Sequence, residues 1–152
     1  MTSMEKNTKV DKLFFGEILV KRNRITSDQL KEALKVQKKE NSFLGEILVR
    51  LGYIEERDIV VALIMQYGFA YIAITKYNID QNVLNLIPEN FARENHVIAL
   101  DRVGGVLSVV MADPLDTEVK EKLESLTQYK VAPFIATKSE IQEAIEKWYG
   151  KK

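Results

Sequence analysis

Apolar positions recur at helical spacing twice in the first half of this chain, and the two runs are copies of one unit. Leu13, Phe15, Ile18 and Leu19 form a stripe over about two and a half turns, which predicts an amphipathic helix. Asn23 and Arg24 interrupt it. Thr26 with Gln29 has the spacing of a capping box, and Ile25 stands where a hydrophobic staple opens the next helix. Leu30, Ala33, Leu34 and Gln37 then return at helical spacing. The same plan repeats 29 residues later. Residues 14–37 (FFGEILVKRNRITSDQLKEALKVQ) and 43–66 (FLGEILVRLGYIEERDIVVALIMQ) are identical at ten of 24 aligned positions. Gly52 is expected to end its helix in the left-handed conformation, and its counterpart Asn23 is the non-glycine residue best suited to do the same. Ile59 to Met65 is continuously apolar, so the second hairpin is expected to be the more buried, with faces against the first repeat and the rest of the protein. Amphipathicity demands a period, not the same Gly, Glu and Gln at one offset. The duplication therefore predicts a pseudo-symmetric structure and suits a pseudo-symmetric ligand.

The texture changes after Gly68. Residues 69–79 read as a linker over the surface. Asp80 is placed to cap a short helix ending near Leu86, and Pro88 to open another over 88–95. His96 to Leu100 reads as a strand, Asp101 to Gly105 as a turn, and Val106 to Met111 as a second strand, together an antiparallel hairpin. Asp113 is expected to cap a helix beginning at Pro114, with Asp116 at its third position, running to about Leu126. A strand over Tyr129 to Ala136 follows, then a helix opened by a Thr137/Glu140 capping box and stopped at Gly150. The crossover between the last two strands is long enough for a parallel pair around one helix. The expected class is α+β: tandem helical hairpins packed with a small β-β-α-β-α lobe. The expected divisions are a flexible segment 1–11, a helical lobe 12–68, an α/β lobe 69–150 and a tail 151–152.

Charge and composition then remove several functions. Acidic and basic residues balance at 22 each, which denies the chain the basic footprint of a nucleic-acid binder. With no cysteine there is no disulfide or thiolate chemistry. No run approaches the about 18 apolar residues of a membrane span, and the start lacks a secretory leader, so a cytoplasmic chain is expected. There is no GxxxxGK[ST] phosphate loop and no GxSxG elbow. Gly104-Gly105 precedes a strand and reads as a hairpin turn. The single histidine, His96, has no second histidine to share a metal and reads as structural. Capping accounts for Asp113 and Asp116, and a helix-start preference accounts for Glu17 and Glu46. The chain is expected not to be an enzyme and to need no cofactor.

What remains is the repeated set. Gly16 and Gly45 lie near helix starts, where glycine lowers helix propensity. Either close helix packing or backbone access for a ligand explains them. Gln37 and Gln66 close their repeats, and an amide both donates and accepts. Leu30 with Leu34, and Ile59 with Leu63, are apolar strips that either pack inward or floor a shallow groove.

From Leu13 to Gly150 the chain resembles the N-terminal domain of assembly ATPases of bacterial type II secretion and type IV pilus systems. The LGEIL-type repeats ending in Gln37 and Gln66, the stretch from Leu86-Ile87-Pro88 through Met111-Ala112-Asp113-Pro114-Leu115-Asp116, and the close from Ala136-Thr137 to Tyr149-Gly150 carry the resemblance. It implies a non-catalytic regulatory or adaptor module that joins a motor to inner-membrane platform and accessory proteins, peripheral to the membrane through those partners. The alternative it implies is a receptor for cyclic di-GMP, itself two-fold symmetric, which one subgroup binds through Arg-Leu-Gly, spaced apolar residues and a final Gln in each repeat. Carried over, the ligand set is Phe14, Phe15, Gly16, Leu30, Leu34 and Gln37, then Phe43, Leu44, Gly45, Ile59, Leu63 and Gln66, with Asp113 from the second half. The departure is Phe14 and Phe43 in place of arginines. Phenylalanine stacks on a base but donates no hydrogen bond, and losing such a charge-assisted pair costs about 1–3 kcal/mol per half.

Overall fold

The computed structural model describes residues 15–40 and 42–150. Expectations for residues 1–14 and 151–152, including Leu13 and Phe14, lie outside the described residues. The chain divides at Gly68/Phe69 into two compact units.

The first unit is helical. It comprises α1 (residues 15–21), α2 (Ser27–Glu40), α3 (Leu44–Arg50) and α4 (Glu56–Tyr67). Each repeat is a helix, a left-handed turn and a capped second helix. Asn23 and Gly52 take positive φ of 59° and 83°. Around them the backbone bonds repeat at the same offset. Asn23 N–H donates to Val20 and Arg24 N–H to Leu19; Gly52 N–H donates to Val49 and Tyr53 N–H to Leu48. This is the Schellman arrangement, which satisfies the carbonyls a helix end leaves open. The core of the unit holds Phe15, Leu19, Ala33, Leu44, Ile47, Leu48, Ala62 and Leu63. The second repeat buries more: Ile59, Val60, Ala62 and Leu63 on α4, against Leu30 and Ala33 on α2.

The second unit is mixed. A 3₁₀ turn (Ile74–Lys76), α5 (Gln81–Leu84) and α6 (Glu89–Asn95) precede β1 (Val97–Val103), β2 (Val106–Met111), α7 (Thr117–Thr127), β3 (Lys130–Ile135) and α8 (Lys138–Tyr149). The sheet order is β1-β2-β3, with β1/β2 antiparallel and β2/β3 parallel across α7. The class is therefore α+β. Ile98, Leu107, Val109, Val110, Leu123, Ile141 and Ile145 lie in its core.

Four expectations require correction. Residues 69–79 are not a surface linker: Ala70 and Ile72 bond to Ile135 of β3, and Ile74 is fully buried in the core. His96 does not start the strand. It caps α6 in the left-handed conformation (φ 52°), and β1 instead runs on to Val103, leaving only Gly104-Gly105 for the turn. Asp116, not Asp113, caps α7, because its side chain accepts from Val119 N–H at 3.1 Å. Pro88 is the residue before α6 rather than its first turn, with extended backbone geometry.

Candidate functional site

The repeated residues meet in pairs that follow the duplication. A Cβ added to Gly16 would come 2.5 Å from Leu30 Cδ1, and one added to Gly45 would come 3.0 Å from Ile59 Cδ1. Leu30 and Ile59 are aligned positions, so in each half an aliphatic side chain of the second helix lies on the glycine of the first. Both open their helices from the same local device. In the first repeat Thr26 N–H donates to Gln29 Oε1 and Gln29 N–H to Thr26 Oγ1, at 2.9 and 3.1 Å. In the second, Glu55 N–H donates to Asp58 Oδ2 at 2.8 Å and the Glu55 carboxylate accepts in return. Buried Ile25 and Ile54 precede these caps and fix the entry of each helix. The Glu55/Asp58 box escaped the reading of residue types, since glutamate is an atypical cap. Its position 29 residues after Thr26/Gln29 was the available clue.

The candidate residues separate by exposure. Phe15, Gly16, Leu44, Gly45 and Leu63 are buried, and Leu30 and Ile59 sit at the border of burial at 9 % each. Leu34, Gln37 and Phe43 are half-buried, and Gln66 is exposed. The Phe15 and Phe43 rings lie 5.6 Å apart with a 31° tilt, so Phe43 joins the two repeats as well as covering Gly45, whose added Cβ would come 2.9 Å from Phe43 Cε2. Phe14 lies outside the described residues. The two amides are not equivalent. Gln37 Nε2 donates to Ser42 O at 3.0 Å and so closes the link between repeats, whereas Gln66 faces solvent two residues before the left-handed Gly68. Asp113 belongs to the second unit, where its Oδ1 accepts from Leu115 N–H at 3.3 Å.

Three ion pairs and one contact to sulfur engage the arginines of the helical unit. Arg24 pairs with Asp58 and Arg57 with Glu55, at 3.7 and 3.0 Å, Arg50 pairs with Glu40, and Arg22 donates to the Met65 sulfur. Tyr53 O–H donates to Glu32, and that carboxylate beside it raises the phenol pKa. Among the described residues no cluster of three or more His, Cys, Asp or Glu could hold a metal ion.

The comparisons with known proteins agree with this architecture. The MshEN domain family matches residues 67–152, more than half the chain. The chain belongs to the MshEN domain family. The match spans the second unit and the last two residues of the first, whereas alignments to relatives also take in the tandem repeats. The type IV pilus assembly ATPase PilB of Myxococcus xanthus is 34% identical over 137 residues, covering 90% of this chain and 24% of that protein. A solved structure of MshE with cdg has a TM-score of 0.74 at 27% identity and covers 89% of this chain and 98% of that one. The N-terminal domain of XpsE has a TM-score of 0.77 at 22% identity, covering 90% and 94%, and supports the fold. This MshEN chain is thus homologous to N-terminal domains of type II secretion and type IV pilus ATPases, and corresponds to the non-catalytic domain rather than the ATPase core. It spans about a quarter of the PilB relative's length. Among the described residues no helix is long and apolar enough to cross a membrane.

Proposed function

We propose that the tandem helical unit is a receptor for cyclic di-GMP, each repeat holding one half of the two-fold ligand, and that the chain is thereby a regulatory module of an assembly ATPase. The observation that carries this reading is the similarity to MshE with cdg, the abbreviation of cyclic di-GMP, over nearly all of that chain. The paired geometry supports it: two Schellman turns, two glycines each under an aliphatic side chain, and a terminal Gln in each half. In this site Phe43 offers a face for a base, and the aligned Phe14 is assigned the same part from sequence alone. Leu30, Leu34 and Ile59 give an apolar floor, and Phe15, Leu44 and Leu63 form the packed layer beneath. Leu30 and Ile59 must yield where the ligand approaches the Gly16 and Gly45 backbones. Gln66 is exposed and available to bond the ligand, and Gln37 supplies its remaining acceptor and donor.

A second reading is an adaptor that binds inner-membrane platform and accessory proteins at the cytoplasmic face. The observation favouring it is that Leu30, Ile59 and Phe43 already fill the space above the two glycines. The two readings are compatible when ligand binding alters partner binding. Pull-down of platform proteins with and without cyclic di-GMP reads that coupling.

Calorimetry separates them. Heat of binding is expected with cyclic di-GMP at about 100 μM, and its absence from folded protein excludes a receptor of useful affinity. Gln66→Ala is the clean variant, because an exposed side chain contributes little to folding. It is expected to weaken binding about three- to tenfold, the worth of one hydrogen bond, with an unchanged melting temperature. Unchanged affinity removes Gln66 from the site.

A further inference from the structure

Helix α2 carries lysines at 31, 35, 38 and 39, a spacing that sets residues along one side of a helix. All four are exposed, and among the described residues none pairs with a carboxylate. The acids of the same helix are accounted for otherwise. Glu40 pairs with Arg50 and Glu32 accepts from Tyr53, both in the second repeat. Asp28 stands in the first turn, where the helix dipole favours an acid. The four lysines are thus a row of uncompensated charge, about 12 Å long at the rise of an α-helix. Lys31 with Lys35, and Lys35 with Lys39, are like charges one turn apart, which weakens a helix rather than supporting it. The row also stands outside the duplication. The aligned positions on α4 are Val60, Ile64, Tyr67 and Gly68, so a two-fold ligand finds no second copy of it.

We propose that this lysine face of α2 docks on an anionic lipid bilayer surface. Charge complementarity selects the occupant. A row of four lysines on one side of a helix attracts a broad sheet of phosphate headgroups, and each lysine at such a surface adds about fivefold to binding. Lysine suits that task, being a point charge on a flexible stem with no fixed fork to match to one rigid acceptor. The face does not suit a protein partner. Protein interfaces centre on buried aromatic or apolar anchors and are depleted in lysine. The large apolar side chains exposed among the described residues lie on other segments, none of them on α2. The proposal stands apart from cyclic di-GMP binding, and neither needs the other.

The test is co-sedimentation of the full 152-residue chain with vesicles of equal parts phosphatidylglycerol and phosphatidylcholine, against vesicles of phosphatidylcholine alone. Binding to the anionic vesicles only is expected, with release at about 1 M salt, where the screening length falls to about 3 Å. No binding, equal binding to both vesicles, or retention in that salt overturns the proposal. The double variant Lys35→Gln/Lys38→Gln is expected to weaken binding about twentyfold with an unchanged melting temperature. The matched control is Lys76→Gln/Lys130→Gln, which removes two exposed lysines of the second unit and is expected to change binding by less than about twofold. Equal losses from the two double variants overturn the assignment to α2. Poly-glutamate reads the other occupant: a chain that binds it and not the anionic vesicles presents this face to an acidic protein, and the lipid assignment fails.

Discussion

At Gly45 a methyl group would meet three atoms at once, Phe43 Cε2 at 2.9 Å and two carbons of Ile59 at 3.0 and 3.1 Å. At Gly16 it would meet only leucine methyl tips, Leu30 Cδ1 at 2.5 Å, Leu44 Cδ2 at 3.2 Å and Leu30 Cδ2 at 3.3 Å. Isoleucine is branched at Cβ and has little rotamer freedom, so Ile59 gives way less readily than Leu30. Gly45→Ala is therefore expected to destabilise the helical unit by about 1–2 kcal/mol, overpacking outweighing the gain in helix propensity, and Gly16→Ala by less. Denaturant melts of the two variants check the order. The left-handed turns give the opposite pair. Asn23→Gly relieves a side chain at φ 59° and is expected to stabilise by about 0.5–1 kcal/mol, whereas Gly52→Ala at φ 83° costs about 1–2 kcal/mol. These turns were legible from residue type alone, since Asn and Gly are the residues that tolerate this conformation. Whether the glycines serve packing or ligand was not, because that depends on where Leu30 and Ile59 point.

Helix starts repeat the lesson at the scale of elements. Thr26/Gln29 and Thr137/Glu140 were readable because their side chains are customary caps, and both boxes form. Asp113 and Asp116 were equally plausible caps by type, and only the backbone path after Met111 selects Asp116. His96 looked like a strand residue because four buried residues follow it, yet the chain must reverse there to leave α6. The α8 cap carries an extra partner: Tyr71 O–H donates to Glu140, whose other oxygen accepts from Thr137 N–H. Thr137→Ala is expected to cost about 1 kcal/mol in thermal or chemical melts. The hydrogen bond to Glu140 pushes the Tyr71 phenol up to about 12. Its proton is held in the folded state after an unfolded tyrosine has released it near 10, so the unfolded state binds fewer protons above that pH. The contribution is complete below about pH 10 and is lost as pH rises toward 12. Melting temperatures between these pH values are expected to fall, and Tyr71→Phe is expected to flatten the part due to this group.

For the whole molecule, topology was easier to read than boundaries. The β-β-α-β-α succession followed from strand spacing and the crossover length allowed a parallel return of β3, while the order β1-β2-β3 is visible only in the structure. The segment after Gly68 was misjudged because its apolar residues are scattered without period. Burial there comes from pairing with β3 and from Ile74 entering the core, both long-range contacts that local pattern cannot encode. The duplication is visible at every level, from identical residues to matched hydrogen bonds, and it is the basis for assigning a two-fold ligand to the helical unit. A titration of the isotopically labelled chain with cyclic di-GMP, followed by amide nitrogen–proton spectra, tests that assignment most directly. The account predicts paired shifts at Gly16 and Gly45 and along residues 30–37 and 59–66, saturating together. Unmoved helical-unit amides, or shifts confined to residues 69–150, would contradict it.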